Sequence, residues 1–327
     1  MKSHHARLLF TIAAAILLSI CVQADAQQGW SRAQVIKQDG KDATVNAVYY
    51  DGDEIWVVGA EGLISRSYDD GRSFNEVRIG IAEGLNDVFV RRERVWIVGD
   101  AGVILLSTDG GGTFIRNLYA ARRSRSNQQG GRPAPLDLYS VQFTDNENGF
   151  IVGDEGLILG STDGGYSWRE LRSSVDNQLF HLSVRGRFAW VVGTGGTILH
   201  TDDGGKTWYP QRSGVSDDLN RVYMVNNRVG LITGDNGIVL RTENGGISWS
   251  RSQVSVREPL FGISYIDRDT GWVVGYKGTV IRTYDGGRNW VEQVSGTDVD
   301  LFSVSFQKNR GYAVGRDGLL LRYFEKR

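Results

Sequence analysis

The chain has 327 residues, of which 40% are hydrophobic and 23% charged, which is enough apolar sequence for a large core and too much for a wholly disordered chain. Its formal net charge of −1 weighs against a general binder of polyanions, so we expect no nucleic-acid partner. The 43 glycines and only 4 prolines indicate many tight turns and weigh against a helical bundle.

The first 26 residues have the layout of a secretory signal peptide. Lys2 and Arg7 precede an apolar run from Leu8 to Leu18, and Ala24-Asp25-Ala26 then forms a small-x-small cleavage site. We therefore expect cleavage after Ala26, export to the periplasm, and a mature domain spanning residues 27–327.

Two other interpretations of this leader were weighed. A membrane anchor is disfavoured because the apolar run is short for a bilayer span. A lipoprotein would use Cys21, the only cysteine, but bulky Ile20 stands where lipoprotein processing prefers a small residue. The mature domain then has no cysteine, so its stability cannot depend on disulfide bonds.

The rest of the chain repeats one unit seven times. The unit reads Trp-Val-Val-Gly-x-x-Gly, an apolar strand, and then Ser/Thr-x-Asp-Gly-Gly-x-Ser/Thr-Trp. The first segment begins at Trp56, Trp96, Phe150, Trp190, Leu231, Trp272 and Tyr312. Its glycines follow one another at intervals of 40, 54, 40, 41, 41 and 40 residues, so one interval carries an insertion.

Hydrophobic residues alternate within each unit and glycine-rich turns bound them, as in an antiparallel meander. Four short strands per unit of about 40 residues predict an all-β fold, a seven-bladed β-propeller of four-stranded antiparallel blades. The seventh unit stops at Leu320–Tyr323, before any Asp-Gly-Gly turn, and Gly29–Val35 resembles the strand that follows such a turn elsewhere. We therefore expect the N-terminal strand to close the last blade.

All nine tryptophans occupy two positions of the repeat. One set ends the Asp-Gly-Gly turn (Trp30, Trp168, Trp208, Trp249, Trp290) and the other precedes the Val-Val-Gly (Trp56, Trp96, Trp190, Trp272). This regular register favours core packing between blades over an aromatic platform for sugars.

The Ser/Thr-x-Asp-Gly-Gly-x-Ser/Thr-Trp segment is an Asp-box. Full copies span residues 107–114, 161–168, 201–208 and 283–290, and variants span 67–74, with Asp70 for the first glycine, and 242–249, with Asn244 for the aspartate. A short carboxylate can accept backbone N–H bonds within such a turn. Because the copies lie on separate blades, we interpret these aspartates as structural rather than catalytic or calcium-binding.

With six boxes and seven Val-Val-Gly segments, residues 29–327 resemble the photosystem II stability/assembly factor family. The resemblance implies a secreted or lumenal seven-bladed propeller that assists assembly of a membrane protein complex and has no enzymatic activity. Asp-boxes also occur in sialidases and some glucan-cleaving glycosidases, which supply the alternative: a periplasmic carbohydrate-active propeller.

The sequence contains few candidate catalytic or metal-binding residues. The only mature histidines, His181 and His200, are too few for a histidine-rich metal site, and both stand at regular repeat positions, so we expect no catalytic triad, metal or cofactor. The Arg-Ile-Pro of sialidases is absent. A two-carboxylate glycosidase remains open, because the chain has many acidic residues.

The insertion between the second and third units is the first candidate for partner binding. Residues 119–136 form its loop, and the stretch from Ile115 to Leu136 has no acidic residue but five arginines: Arg116, Arg122, Arg123, Arg125 and Arg132. It is either a solvated surface loop or a docking element for an acidic protein segment or anionic lipid headgroups.

A second candidate is a basic side chain that recurs four residues after the second glycine of the Gly-x-x-Gly hairpin turn. The series comprises Arg66, His200, Arg241, Arg282 and Arg322, and Leu106 and Gly160 interrupt it. Ion pairs with acids of the neighbouring blade are one interpretation, and a basic ring that holds an anionic or peptide ligand is the other. The complete hypothesis is a monomeric, non-catalytic scaffold whose partner is a subunit of an inner-membrane or envelope complex.

Overall fold

The computed structural model describes residues 29–120 and 135–325. The predicted signal peptide and most of the basic insertion lie outside these residues. The described chain forms a seven-bladed β-propeller of four-stranded antiparallel sheets, as predicted.

The strands follow the repeat in chain order. The chain opens with β1 (Gly29–Val35) and a small hairpin of β2 (Lys37–Gln38) and β3 (Lys41–Asp42). Blade 1 contains β4 (Val45–Tyr50), β5 (Ile55–Gly59), β6 (Ile64–Ser67) and β7 (Asn75–Glu76). Blade 2 contains β8 (Leu85–Arg91), β9 (Arg94–Gly99), β10 (Val103–Ser107) and β11 (Ile115–Leu118). Blade 3 contains β12 (Leu138–Phe143), β13 (Gly149–Gly153), β14 (Ile158–Ser161) and β15 (Arg169–Leu171).

The remaining blades have the same order. Blade 4 contains β16 (Leu179–Arg185), β17 (Phe188–Gly193), β18 (Ile198–Thr201) and β19 (Tyr209–Gln211). Blade 5 contains β20 (Leu219–Met224), β21 (Gly230–Gly234), β22 (Val239–Thr242) and β23 (Ser250–Arg251). Blade 6 contains β24 (Leu260–Tyr265), β25 (Gly271–Gly275), β26 (Val280–Thr283) and β27 (Val291–Glu292). Blade 7 contains β28 (Leu301–Gln307), β29 (Arg310–Gly315) and β30 (Leu319–Phe324).

Blade 7 takes its outer strand from the other end of the chain. β1 pairs antiparallel with β30, giving the sheet order β1-β30-β29-β28. The innermost strand of blade 7, β28, also contacts β4 of blade 1, so the sheets form a closed ring. This arrangement leaves no sheet edge open at the seam.

Single 3-10 turns join the second and third strands in six blades: Ala60–Gly62, Asp100–Gly102, Asp154–Gly156, Thr194–Gly196, Tyr276–Gly278 and Arg316–Gly318. Their last two residues have positive φ, for example 55° at Glu61 and 74° at Gly62. This geometry explains the glycine at the end of every such turn. It also defines one rim of the propeller, which we call the turn rim, while the Asp-boxes lie on the opposite, box rim.

The innermost strands would each expose an unpaired edge to the central channel. Side chains of the preceding blade cap these edges: the hydroxyl oxygens of Ser183, Ser264 and Ser305 accept the backbone N–H of Met224, Phe306 and Tyr50 at 3.0–3.1 Å. Seven hydrophobic clusters fill the space between successive blades. Neighbouring blades therefore share both their polar and their apolar contacts.

The tryptophans that precede the Val-Val-Gly are core residues, as predicted. Trp56, Trp96, Trp190 and Trp272 are at most 1% exposed. Trp30 of β1 packs against Phe306 and Tyr323, with ring centroids 5.6 and 5.3 Å away, and so anchors the closing strand to blade 7.

We predict that Trp30→Ala lowers the free energy of unfolding by about 2 kcal/mol, less than for a fully buried tryptophan because Trp30 is only partly buried. Chemical denaturation of the mature protein measures the loss. The matched control is Val291→Ala on the outer strand of blade 6, where the side chain is 55% exposed and the expected change is below about 0.5 kcal/mol. Equal losses in both variants would contradict the anchoring role of Trp30.

Candidate functional site

The Asp-box carboxylates hold their own turns together. In the blade 3 box, Asp163 Oδ1 accepts the Ser161 hydroxyl at 2.8 Å and the Ser167 N–H at 3.0 Å. Its Oδ2 accepts the Ser167 hydroxyl at 2.5 Å. The Ser161 hydroxyl oxygen in turn accepts the N–H of Gly165 at 2.8 Å. Both carboxylate oxygens of Asp163 and the hydroxyl oxygen of Ser161 are therefore engaged by groups within the eight residues of the box.

These hydrogen bonds fix the charge of the boxes. Bonds from the serine or threonine four residues later lower the pKa of the box aspartates to about 2, at Asp69, Asp109, Asp163 and Asp203. A carboxyl with so low a pKa remains ionised at neutral pH and is poorly suited to donate a proton in catalysis. The geometry supports the structural interpretation of the boxes.

In four boxes the second glycine lies against a large second-strand side chain of the preceding blade. A Cβ built on Gly111 would stand 2.2 Å from Trp56 Cη2, and one on Gly165 would stand 2.6 Å from Trp96 Nε1. Both glycines also have positive φ, 85° and 91°. Only glycine meets both requirements, so the box is also the docking surface for the previous blade.

The first glycine of the box supplies an acceptor to that same neighbour. Trp96 Nε1 donates to the Gly164 carbonyl at 2.9 Å, and Trp190 Nε1 donates to that of Gly245 at 3.0 Å. In other blades an arginine takes this role: Arg66 donates to the Gly110 carbonyl, and Arg241 Nε donates to that of Gly286 at 2.7 Å.

The basic series therefore lies between blades. Besides Arg66 and Arg241, buried Arg282 donates to Tyr323 Oη at 2.6 Å and to Glu325 Oε2 at 2.9 Å, and its guanidinium stands 4.4 Å from the Trp272 ring. His200 stacks on Trp190 with centroids 4.7 Å apart, and burial lowers its pKa.

The fifth member, Arg322, lines a groove of about 200 Å³ at the seam between blades 7 and 1, beside Asp70 and Arg310. These five side chains belong to five different blades and have different contacts, so the structure does not bring them together as one ligand ring. The physical reason is their register: each stands opposite the large residue of the second strand, as Arg282 opposite Trp272, and packs onto it.

One member of the arginine-rich insertion falls within the described residues. Arg116 of β11 pairs with Glu83 at 2.8 Å. Arg122, Arg123, Arg125 and Arg132 lie outside the described residues. The chain leaves blade 2 on the turn rim, where the Tyr119 N–H bonds to the Gly102 carbonyl at 2.8 Å. Docking by this insertion stays a prediction.

Three acidic residues, Asp100, Asp137 and Asp154, meet on the turn rim between blades 2 and 3. Asp154 accepts the N–H of Asp137 at 3.0 Å and the Tyr139 hydroxyl at 2.8 Å. Burial, and beyond it the charges of Asp100 and Asp154, raise the pKa of Asp137.

Histidine and metal chemistry have little support within the described residues. Across residues 29–120 and 135–325, no three His, Cys, Asp or Glu side chains are grouped to hold a metal ion. Burial, and secondarily the charge of Arg221, keep the pKa of His181 well below its ordinary value. In the same described ranges, no helix is long and apolar enough to cross a membrane.

Sequence reasoning missed one cavity, of about 310 Å³, between blades 3 and 4. Phe150 and Gly160 line it, where blades 1, 4 and 6 have a tryptophan and a basic side chain. The signal for it in the sequence is the interruption of the basic series at Gly160.

The family model for the photosynthesis system II assembly factor YCF48 matches residues 121–216, 185–259 and 249–325. The chain belongs to this family. Membership confirms the resemblance drawn from the repeats. No curated protein sequence matches the chain.

Solved structures with the same fold include YCF48 proteins. A structure titled "YCF48 bound to D1 peptide" has a TM-score of 0.73 and 19% identity, covering 92% of this chain and 96% of that one. YCF48 from Cyanidioschyzon merolae has a TM-score of 0.70 and 19% identity, covering 90% and 98%. The GH74 enzyme of Niastella koreensis has a TM-score of 0.70 and 15% identity, covering 90% of this chain but 53% of that one. At these identities the likeness shows the fold alone.

The box carboxylates predict how stability depends on pH. Their folded pKa of about 2 lies below the ordinary 3.8, so their contribution is complete above about pH 4 and is lost as the pH falls towards 2. We predict that Asp163→Asn lowers the melting temperature at pH 7 and reduces its further fall between pH 4 and pH 2.

Asn244→Asp restores the consensus carboxylate in blade 5. This variant should raise the melting temperature at pH 7 and increase its fall between pH 4 and pH 2. Asp298→Asn, at an exposed position outside the boxes, is the control and should leave the pH profile unchanged. Identical profiles for the Asp163 and Asp298 variants, measured by thermal melts, would contradict the role of the box carboxylates.

Proposed function

We propose that this chain is an exported, non-catalytic scaffold that binds a protein partner during assembly or stabilisation of an envelope membrane complex. The observation that carries the proposal is its membership of the YCF48 assembly-factor family. A solved YCF48 protein of the same fold is bound to a D1 peptide, so a propeller of this kind can hold a polypeptide segment. A surface that binds peptide needs no reacting groups.

The state of the acidic residues supports a non-catalytic role. The aspartates that the chain shares with Asp-box glycosidases are ionised and engaged in their own turns. Fold likeness to a glycoside hydrolase is not evidence of hydrolysis, because one architecture hosts unrelated activities.

The partner-binding element of this proposal is the basic insertion of residues 119–136. Arg122, Arg123 and Arg125 lie close together in a stretch without acidic residues, and guanidinium groups form paired bonds with carboxylates and phosphates. We propose an acidic segment of a membrane-complex subunit as the partner, with anionic lipid headgroups as a second contact. The binding unit is a monomer.

The test is affinity capture from envelope extracts followed by mass spectrometry, with the triple Arg122→Glu, Arg123→Glu, Arg125→Glu variant beside the wild type. We predict that partner recovery falls about tenfold in the variant, as is common when central interface charges are reversed. Recovery by the wild type should also weaken with salt, since exposed charges are screened beyond about 8–10 Å at physiological ionic strength.

The control is Arg212→Glu, a single charge reversal at an exposed site in blade 4. It should recover the same partners as the wild type. A folded triple variant that recovers them equally well at the same salt concentration would overturn docking by the insertion. Sedimentation with vesicles containing anionic lipid distinguishes a lipid contact from a protein contact.

Export and the enzymatic alternative have separate tests. N-terminal sequencing of the periplasmic fraction should begin at Gln27. The alternative, a carbohydrate-active propeller, would draw on Asp137 and its acidic neighbours. Turnover of sialosides or β-glucan oligosaccharides that disappears in Asp137→Asn would establish that alternative, and we expect no turnover in either protein.

A further inference from the structure

The contact between blades 3 and 4 contains a cavity of about 310 Å³ that opens on the box rim. Its walls include Phe150, Gly160 and Leu171, and its margin includes Asp145, Arg169, Arg187 and Gly204. Because the other blades are copies of the same unit, they show what this space normally holds.

In blades 1, 4 and 6, a planar basic side chain fills the equivalent position. The residue pairs Trp56–Arg66, Trp190–His200 and Trp272–Arg282 stand directly opposite one another on the second and third strands. In each pair the basic group lies over the indole, at 4.4 to 5.3 Å between the group and the ring centroid. In blade 3 the corresponding pair is Phe150 and Gly160.

The same interface has an unused hydrogen-bond acceptor. At the four other interfaces where the next blade carries the glycine pair of an Asp-box, an indole or guanidinium N–H reaches the carbonyl of the first glycine. At blade 4 this carbonyl belongs to Gly204, which lines the cavity. The side chains at Phe150 and Gly160 contain no N–H donor, and no described residue donates a hydrogen bond to the Gly204 carbonyl.

Phe150 nevertheless occupies the place of the usual indole on the box glycine. A Cβ on Gly205 would stand 2.5 Å from Phe150 Cε1. The phenyl ring therefore closes the base of the interface, and the cavity lies above it, beside Gly160 and the Leu171 side chain.

The charged side chains around the opening of the cavity indicate which kind of ligand can bind there. Although burial acts against ionisation, hydrogen bonds from the Asn148 and Glu147 backbone and from the Asn148 side chain lower the pKa of Asp145 to about 2, so its carboxylate is already satisfied. Arg169 and Arg187 are exposed and form no ion pair within the described ranges. Their charges disfavour an incoming guanidinium and favour acidic groups beside the cavity.

We propose that the groove between blades 3 and 4 binds a tryptophan side chain of a partner segment, with acidic residues flanking that tryptophan. The indole stacks on Phe150 and donates its N–H to the Gly204 carbonyl, as Trp96 and Trp190 do for Gly164 and Gly245. The flanking carboxylates pair with Arg169 and Arg187. This inference rests on the proposed protein-binding function and adds a site on the box rim.

The probe is a synthetic peptide, acetyl-Glu-Glu-Trp-Glu-Glu-amide, with a 5-fluorotryptophan so that its ¹⁹F signal is distinct from the protein. Titration of the mature wild-type protein should broaden and shift this signal. Phenylalanine in place of tryptophan removes the N–H, and lysine in place of glutamate reverses the flanking charges. Each change should weaken binding about tenfold, roughly the value of one well-placed hydrogen bond or ion pair.

Two protein variants fill the cavity from within. Phe150→Trp supplies the indole that other blades have, and Gly160→Arg supplies the guanidinium of blades 1, 5 and 6. A Cβ at Gly160 would stand 2.9 Å from Leu171 Cδ1, the end of a flexible side chain that can move aside. Phe150→Trp does not depend on that movement, so one variant remains informative if the other fails to fold.

Both folded variants should lose peptide binding by at least about tenfold, while Arg212→Glu should bind as the wild type does. Arg169→Glu with Arg187→Glu should reject the glutamate peptide and accept the lysine peptide. A wild-type protein that does not bind the probe, or a folded Phe150→Trp variant that binds it unchanged, would overturn the site. Neither result bears on the proposed function, because its capture experiment depends on the basic insertion. If the triple arginine variant loses partner capture but still binds the tryptophan peptide, the insertion and the cavity act as separate sites.

Discussion

The contact between a large second-strand side chain and the second glycine of the next blade's Asp-box is the constraint on which this propeller depends. Trp56 on Gly111, Trp96 on Gly165 and Phe150 on Gly205 bring an aromatic ring against a backbone that has no room for a Cβ. Positive φ at the glycine turns the box so that its neighbouring carbonyl can face the same ring. The Asp-box aspartate is needed to hold that turn, which accounts for its low pKa and its structural role.

Once adjacent blades are joined in this way, one position beside each large second-strand side chain remains variable. Arg66, Arg241 and Arg282 fill it with a guanidinium that finds an acceptor on the next blade. Gly160 leaves it empty, and an interface that is otherwise a packing surface becomes a groove. A propeller can therefore acquire a binding site by omitting a side chain, without any change to its strands.

The repeat made most of the fold predictable. Seven Val-Val-Gly segments at nearly constant spacing, with alternating hydrophobic residues, are consistent only with repeated small sheets, and these cannot bury their faces without neighbours. The missing box after Leu320 and the strand-like Gly29–Val35 pointed to a last blade built from both chain ends, and β1 lies beside β30 in the structure. Local patterns were sufficient because each blade is formed by consecutive residues.

The amino-acid sequence by itself determined the number of blades, the strands within each, the structural use of the box aspartates and the family. Tertiary structure decided what lies between the blades. The sequence predicted either an acidic residue or a bound ligand as the partner of Arg66. In the structure, Arg66 instead donates to the carbonyl of Gly110, which lies 44 positions away in the next blade. Likewise, the sequence shows Gly160 only as an interruption of the basic series, whereas the structure places it in one cavity with Phe150 and Gly204. The reason is physical: repeat spacing defines neighbours along one sheet, but the distance and rotation between two sheets determine which side chains meet across them.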